Sequence, residues 1–146
     1  MSAIDQVYQG RILEFAGDIP RLGRLEHPDA SAKVTSRACG STITVDIKLG
    51  NGMITDYAHE VDACALGSAS ASIVARLVVG RPAEELRALR QRMEAMLKRN
   101  GAPPDGYWCD LEVLEPGRAF ANRHQSILLP FNAIVRALDR VEAGRS

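Results

Sequence analysis

The sequence has no excess of charge of either sign. Its 146 residues contain 18 lysines and arginines against 18 aspartates and glutamates, so the formal net charge at pH 7 is zero. Proteins that bind nucleic acids or anionic membranes through charge carry a basic surplus. The balance therefore argues against both kinds of partner and favours small molecules, metal ions or proteins.

Cysteines and long hydrophobic runs are also scarce. Three cysteines, an odd and small number, argue against a disulfide framework and suit a reducing compartment. No apolar run approaches the ~20 residues that cross a bilayer. The first six residues lack the basic and apolar regions of a secretion signal. We therefore expect a cytoplasmic protein that does not insert into membranes.

What the chain has in quantity is apolar side chains, which make up 46% of its residues. This content over 146 residues predicts a single domain, 1–146, with a packed core. Apolar residues at helical spacing in 4–16 predict a first helix that ends near Ile19. The first three of them are Ile4, Val7 and Tyr8.

Alternation of apolar and polar residues then marks the strands. Ile43, Val45 and Ile47 alternate with polar residues, the pattern of a half-buried strand. The Gly-Asn-Gly sequence at 50–52 predicts a turn, so residues 41–49 and 53–61 should form a hairpin. We expect residues 33–38 to pair on the other side.

The helical period returns after Cys64 and continues to the end of the chain. Pro82 is predicted at the first position of a second helix in this part, which ends at Asn100-Gly101. The last helix should have residues 122–126 at its entrance, because Pro130 is tolerated only near a first turn. The predicted fold is α+β: an N-terminal helix, a three-stranded antiparallel sheet, then several helices packed on that sheet.

Cys39 and Cys64 are the residues most suited to chemistry. Cys39 lies between the first two predicted strands and Cys64 follows the third. Because the outer ends of the hairpin lie side by side, the two cysteines should face each other. Paired thiolates hold zinc, iron or an iron–sulfur cluster. Each could instead be a small buried hydrophobe, as single cysteines usually are.

A run of tiny residues follows Cys64. A thiol at a helix N-terminus meets exposed N–H groups, which favour the thiolate, and small side chains permit close approach to the backbone. Close packing of the helix would explain the small residues equally well.

Four motifs together resemble the NifU/IscU-type iron–sulfur cluster scaffold family, especially its SufU-like branch. The strongest is Cys64-Ala-Leu-Gly-Ser-Ala-Ser-Ala-Ser72. The others are Pro20-Arg-Leu-Gly23, Ala38-Cys39-Gly40-Ser41 and Arg123-His-Gln-Ser-Ile-Leu-Leu-Pro-Phe131. They occur in the family's order over nearly the whole chain.

The resemblance implies a solvent-facing metal or cluster site made from three cysteines and an aspartate. Two of these positions match Cys39 and Cys64. Ser41 stands at the aspartate position and Ser126 at the third cysteine position. Serine hydroxyls are poor ligands for zinc or iron, so the implied ligand set is half complete.

The remaining histidines and the third cysteine have weaker claims. His124 precedes Ser126 by two residues and could bring an imidazole to the site, although a surface or packing role is the commoner one. His27 and His59 have no positional argument. Cys109 matches no ligand position of the family, and its neighbours Trp108 and Leu111 favour packing.

Three functional hypotheses follow. The first is an iron–sulfur cluster assembly scaffold that binds iron, a cluster or zinc through Cys39 and Cys64. It would receive sulfur from a cysteine desulfurase and serve acceptor apoproteins. The second is a metal-free accessory module that docks on a desulfurase, with no cofactor at all. The third is a persulfide acceptor that uses Cys64. The oligomeric state stays open.

Overall fold

The computed structural model describes residues 3–144. Met1, Ser2, Arg145 and Ser146 of the expected domain lie outside the described residues, as do the side chains of Ile4, Val7 and Tyr8. The elements in chain order are α1 (Ala3–Gly17), β1 (Ala30–Thr35), β2 (Thr42–Gly50), β3 (Met53–Asp62), α2 (Ala65–Leu77), α3 (Ala83–Lys98), a 3₁₀ segment (Gly106–Ala119), a 3₁₀ turn (Ala121–Arg123) and α4 (His124–Gly144). The predicted α+β fold is confirmed.

The sheet is antiparallel, in the order β1-β2-β3. The predicted hairpin is confirmed: β2 and β3 are joined at Asn51 and Gly52, whose φ angles are 54° and 75°. β1 ends at Thr35, earlier than predicted, because the chain turns between Ser36 and Ser41. The N–H of Ser36 donates to the carbonyl of Ser41 at 2.7 Å.

The two faces of the sheet have different coverings. The inner face contributes Ile43, Val45 and Ile47 to a core shared with the helices. Asp46 alternates with these residues and therefore faces the other side, where Arg24 and the backbone N–H of Leu25 bind its carboxylate. The connection between α1 and β1 therefore covers the outer face.

Two helix predictions need correction. Pro82 is the N-cap of α3 and not its first helical residue. Pro130 is the seventh residue of α4, so its predicted place near the first turn is wrong, although the predicted entrance at 122–126 is right. Proline has no N–H to give the carbonyl four residues earlier, here that of Ser126. Packing of α4 against α2, α3 and the sheet keeps the helix continuous.

Residues 106–119 form a 3₁₀ segment that the sequence pattern did not predict. Its buried residues include Trp108, Leu111 and Leu114. α1 ends at Gly17, two residues before the predicted end. Among the described residues, no helix combines the length and apolar character that a membrane span needs.

Candidate functional site

Cys64 is the N-cap residue of α2, as its position after β3 predicted. Its backbone is extended, with φ −66° and ψ 173°, and its carbonyl accepts the N–H of Ser68 at 2.8 Å. This is the standard start of a helix, where the first N–H groups have no helical partner. The thiol therefore lies beside free backbone donors.

The two serines at the expected ligand positions lie next to this thiol. Ser126 Oγ is 3.4 Å from Cys64 Sγ and donates to Ser41 Oγ at 3.0 Å. Ser126 is fully buried and Ser41 nearly so. We call Cys64, Ser126 and Ser41 the serine–thiol cluster. Ser126 thus links three of the four positions that the family resemblance assigned to ligands.

The small residues of α2 allow its start to meet the start of α4. A Cβ atom on Gly67 would lie 2.5 Å from Ser126 Oγ and 3.2 Å from the Ser126 carbonyl oxygen. One turn later, Ser70 Oγ donates to the carbonyl of Ile127 at 2.6 Å. Close helix packing therefore accounts for the run of small residues, and it is also what brings Ser126 to Cys64.

Cys39 lies on the turn between β1 and β2. Gly40 beside it has a φ of 69°, a conformation that glycine adopts without strain, and its N–H donates to the carbonyl of Ser36 at 2.8 Å. The Cys39 thiol donates to the backbone carbonyl of Asn122 at 3.0 Å. The turn is thereby held against the entrance of α4.

Arg123 connects the two cysteines. Interactions of its guanidinium with the thiols of Cys64 and Cys39 raise the pKa of Arg123. We call Cys39, Cys64 and the Arg123 guanidinium the two-thiol site. The sequence analysis assigned no role to Arg123 or to Asn122. The only available signal was the place of Arg123 at the start of the Arg123–Phe131 motif, directly after Asn122.

The environment of Cys64 favours the thiolate. Burial alone would raise its pKa, but hydrogen bonds from Ser126, the Gly67 N–H and Arg123 outweigh burial and lower the pKa of Cys64 below its ordinary value. Hydrogen bonds to the charged form act in this direction. The thiolate is the form of cysteine that attacks electrophiles and binds metal ions.

The other candidate residues lie in different surroundings. His124 is buried, and its Nε2 is 3.0 Å from the carbonyl oxygen of Arg118. His59 is also buried, with its Nε2 2.8 Å from the carbonyl oxygen of Pro20. Cys109 is exposed, so its predicted packing role is wrong: in the 3₁₀ segment its neighbours Trp108 and Leu111 face the core instead.

Metal-binding side chains do not gather in threes anywhere in residues 3–144. No group of three or more histidine, cysteine, aspartate or glutamate side chains there could hold a metal ion. His124 therefore does not complete such a group with Cys39 and Cys64. The two-thiol site offers two thiols and one cation, and the adjoining serine–thiol cluster adds the neutral hydroxyls of Ser41 and Ser126.

A family model and two proteins of known name are similar to this chain in sequence. The family model for the NifU-like N terminal domain matches residues 7–110. Two proteins named iron–sulfur cluster assembly scaffold protein IscU are similar. The one from Streptococcus pyogenes is 24% identical over 96% of this chain and 87% of its own length. The one from Thermotoga maritima is 23% identical over 92% of this chain and 94% of its own length.

Solved structures resemble the fold closely. The N-terminal part of a nitrogen-fixing NifU-like protein from Brucella abortus has a TM-score of 0.93 and 51% identity, and the match covers 97% of this chain and 99% of that one. A putative iron–sulfur cluster assembly scaffold for the SUF system from Fervidobacterium islandicum has a TM-score of 0.83 and 18% identity. The match covers 91% of this chain and 97% of that one. The second likeness concerns the fold alone.

Proposed function

Because this chain belongs to the family of NifU-like N-terminal domains, we propose that it acts in the assembly of iron–sulfur clusters, as a scaffold-type protein. Iron or a cluster is its cargo. Similarity to two proteins named as scaffolds for this process, over more than nine-tenths of the chain, supports the role.

Cys39 and Cys64 are the ligands in this proposal. The observation that carries it is that both thiols meet the entrance of α4, where Cys39 contacts the carbonyl of Asn122 at 3.0 Å and Cys64 contacts Ser126 at 3.4 Å. Iron–sulfur clusters are commonly held by four thiolates, and this chain supplies two. Its cargo would therefore be held incompletely, which suits transfer to an acceptor better than storage.

The partners in this proposal are a cysteine desulfurase, which supplies sulfur, and the apoproteins that accept the finished cluster. Zinc is a further ion that two thiolates attract. The hydroxyls of Ser41 and Ser126 add little to its affinity because they are neutral.

Reconstitution without oxygen tests the proposal. The protein is incubated with ferrous iron and sulfide, desalted, and analysed for bound iron and for visible absorption. We expect the parent protein to retain iron, and Cys39→Ala and Cys64→Ala to retain much less. Cys109→Ala is the matched control, because Cys109 is exposed and outside the site. A parent protein that holds no iron, or a Cys109→Ala variant that loses as much, would overturn the proposal.

A second candidate function, transfer of sulfur through Cys64, has its own support. The thiol accepts hydrogen bonds that favour its anion, and residues 3–144 contain no group of three metal-binding side chains. The Cys64 thiolate would attack the terminal sulfur of a donor persulfide. The donor S–S bond breaks, the donor leaves as a thiolate, and Cys64 carries the persulfide with no net oxidation.

Mass spectrometry separates the two functions from each other and from a metal-free accessory role. A sulfur acceptor gains 32 mass units on Cys64 after incubation with desulfurase and cysteine, and not on Cys109. A scaffold retains iron as above. An accessory module does neither, and binds the desulfurase equally well with and without chelator.

A further inference from the structure

A groove of about 330 Å³ lies between the end of β1, α3 and α4. Three cations line it, namely Arg37, Arg90 and Lys98, and Glu94 is the only acidic residue in its lining. Leu128 and Leu129 give it an apolar floor. We call it the cationic groove. Its lining carries two positive charges in excess, although the whole chain is neutral.

The groove's arginines have donors to spare. Arg37 is exposed and has no hydrogen-bond or ion-pair partner among the described residues. Arg90 donates from Nε to Asn132 Oδ1 at 2.7 Å, which fixes its guanidinium while both terminal nitrogens keep their donors. Lys98 is 3.8 Å from Glu94, a loose surface pair of little energetic consequence.

The cationic groove adjoins the two-thiol site. Gln125 lines the groove, and its Oε1 is 3.5 Å from Ser36 Oγ. Ser36 begins the turn that carries Cys39, and Gln125 precedes Ser126 directly. A molecule in the groove would therefore contact Gln125, which lies beside the turn that carries Cys39.

Backbone pairing with β1 is blocked next to this groove. β1 is an edge strand, and edge strands can add a further strand. Here Arg136 donates to the carbonyl of Lys33 at 3.2 Å, and Arg140 donates to that of Ser31. Recognition in the groove would therefore depend on side-chain charge and not on strand addition.

We propose that the cationic groove binds an acidic segment of a partner protein through its carboxylates. A guanidinium binds a carboxylate in a two-pronged geometry, and the leucine floor suits the aliphatic part of such a segment. That this partner delivers or receives cargo at the two-thiol site rests on the proposed function. The binding itself does not.

Fluorescence anisotropy with labelled hexaglutamate tests the proposal on the intact protein. We expect binding that weakens as salt is added, because charge pairing is screened. Labelled hexalysine should not bind. Arg37→Glu combined with Arg90→Glu should weaken hexaglutamate binding at least tenfold. Arg37→Glu alone, at an exposed residue without partners, should still weaken it several-fold while the thermal melting temperature stays unchanged.

Arg92→Glu is the matched control, with the same charge change on another face of α3, where Arg92 donates to the Pro103 carbonyl. It should bind within twofold of the parent. Absent binding by the parent, equal binding by the double variant, or equal loss in the control would each overturn the proposal. Displacement of the probe by inorganic tripolyphosphate but not by free glutamate peptide would also overturn it.

A variant with both Cys39→Ala and Cys64→Ala separates this proposal from the proposed function. It should bind hexaglutamate like the parent while it loses iron retention. If the parent binds the peptide but retains no iron, the groove stands and the scaffold role falls. If the parent retains iron but does not bind the peptide, the scaffold role stands and the groove proposal falls.

Discussion

The polar cluster around Asp46 and the serine–thiol cluster differ in charge. On the outer face of the sheet, the fully buried carboxylate of Asp46 accepts hydrogen bonds from Arg24, the Leu25 N–H and Ser31. The serine–thiol cluster contains no fixed charge, and its hydroxyls are linked in a short chain. The first cluster is fully paired and fixes a loop. The second joins the entrance of α4 to the start of α2 without a charge pair.

The two clusters differ in how far the chain itself satisfies their polar groups. A buried charge is tolerated when hydrogen bonds and an opposite charge satisfy it. The Asp46 cluster meets that condition within the chain. The two thiols meet it in part, through the half-buried Arg123, and under the proposed function a metal cation would take over the role of Arg123.

The largest expected effect comes from giving the serine–thiol cluster the charge that it lacks. Ser41→Asp with Ser126→Cys adds a carboxylate and a thiolate beside Cys64. The resulting set suits tetrahedral zinc, and zinc affinity should rise about a thousandfold, or ~4 kcal/mol. Calorimetry with a competing chelator measures it. Affinity should fall as pH decreases, because protons compete for the thiolates.

The two single variants serve as controls for this prediction, and each should show a smaller gain than the pair. If the folded double variant binds zinc no better than the parent, Cys39 does not share a centre with the other three positions. The ligand set implied by the family resemblance would then not apply to this chain.

Removal of the carboxylate from the Asp46 cluster should have the next largest effect. Asp46→Ala leaves Ser31 and the Leu25 N–H without their buried acceptor, and the free energy of unfolding should fall by about 3 kcal/mol. Asp56→Ala is the control, since the Asp56 side chain is 43% exposed and lies 3.7 Å from Arg21. Its loss should stay under ~0.5 kcal/mol. Equal losses in urea unfolding would contradict this account.

The effect of Asp46 should depend on pH in a definite direction. Burial alone would raise its pKa, but the hydrogen bonds from Arg24, Ser31 and Leu25 lower it below the ordinary value of 3.8. Its contribution to stability is therefore present above about pH 4 and is lost as pH falls through the lower folded value. The parent and Asp46→Ala should converge in stability only in that acidic range.

Sequence patterns predicted the fold well where a single period decides the structure. Alternation at 43–47 and the turn at 50–52 placed the hairpin, and the hairpin placed Cys64 at the start of a helix. The donors of Asp46 were not predicted, because Arg24 lies 22 residues away in a connection without periodicity. The roles of Asn122 and Arg123 were not predicted either, because their contacts join distant parts of the chain. Asn122 and Cys39, for example, are 83 residues apart in sequence.

α2 packs closely on α4 and thereby places Ser126 at Cys64. A single added methyl group, at Gly67, should disrupt this packing. Gly67→Ala should raise intrinsic helix propensity, yet its Cβ would lie 2.5 Å from Ser126 Oγ. We expect a net loss of about 2 kcal/mol in the free energy of unfolding. Gly10→Ala in α1 is the matched control, because open space surrounds that position. It should gain about 0.5 kcal/mol.

If Gly67→Ala were as stable as Gly10→Ala, the helices would have room to separate. The cluster's geometry would then not depend on Gly67. Circular dichroism during urea unfolding measures both variants under the same conditions.

His59 extends the comparison to a buried group that is only partly paired. Its Nδ1 has no hydrogen-bond partner in the part of the chain that the structure describes. Burial lowers the pKa of His59 although the Pro20 carbonyl opposes this. Below about pH 6.5 the unfolded chain gains a proton that the folded chain does not. Stability should therefore fall with decreasing pH by up to ~1.4 kcal/mol per pH unit until the folded pKa is reached.

His59→Phe should remove this slope between pH 6.5 and the folded pKa. His27→Gln should leave it unchanged, because His27 is exposed. A parent protein whose stability is constant over that range would show that His59 takes up its proton equally in both states.

The smallest expected effect is at Tyr57, whose buried hydroxyl has no hydrogen-bond partner among the described residues. Burial raises the pKa of Tyr57 far above its ordinary value, so the group stays neutral and gains nothing from its oxygen. Tyr57→Phe keeps the ring, which lies 5.4 Å from that of His59, and removes an unpaired polar atom. The free energy of unfolding should stay the same or rise by up to about 1 kcal/mol.

Ser126→Ala is the control, because it removes a hydroxyl that has hydrogen-bond partners. Its free energy of unfolding should fall by about 1 kcal/mol. A loss at Tyr57 as large as that at Ser126, in the same urea titration, would mean that the tyrosine hydroxyl has a partner in solution and that the two kinds of buried oxygen do not differ.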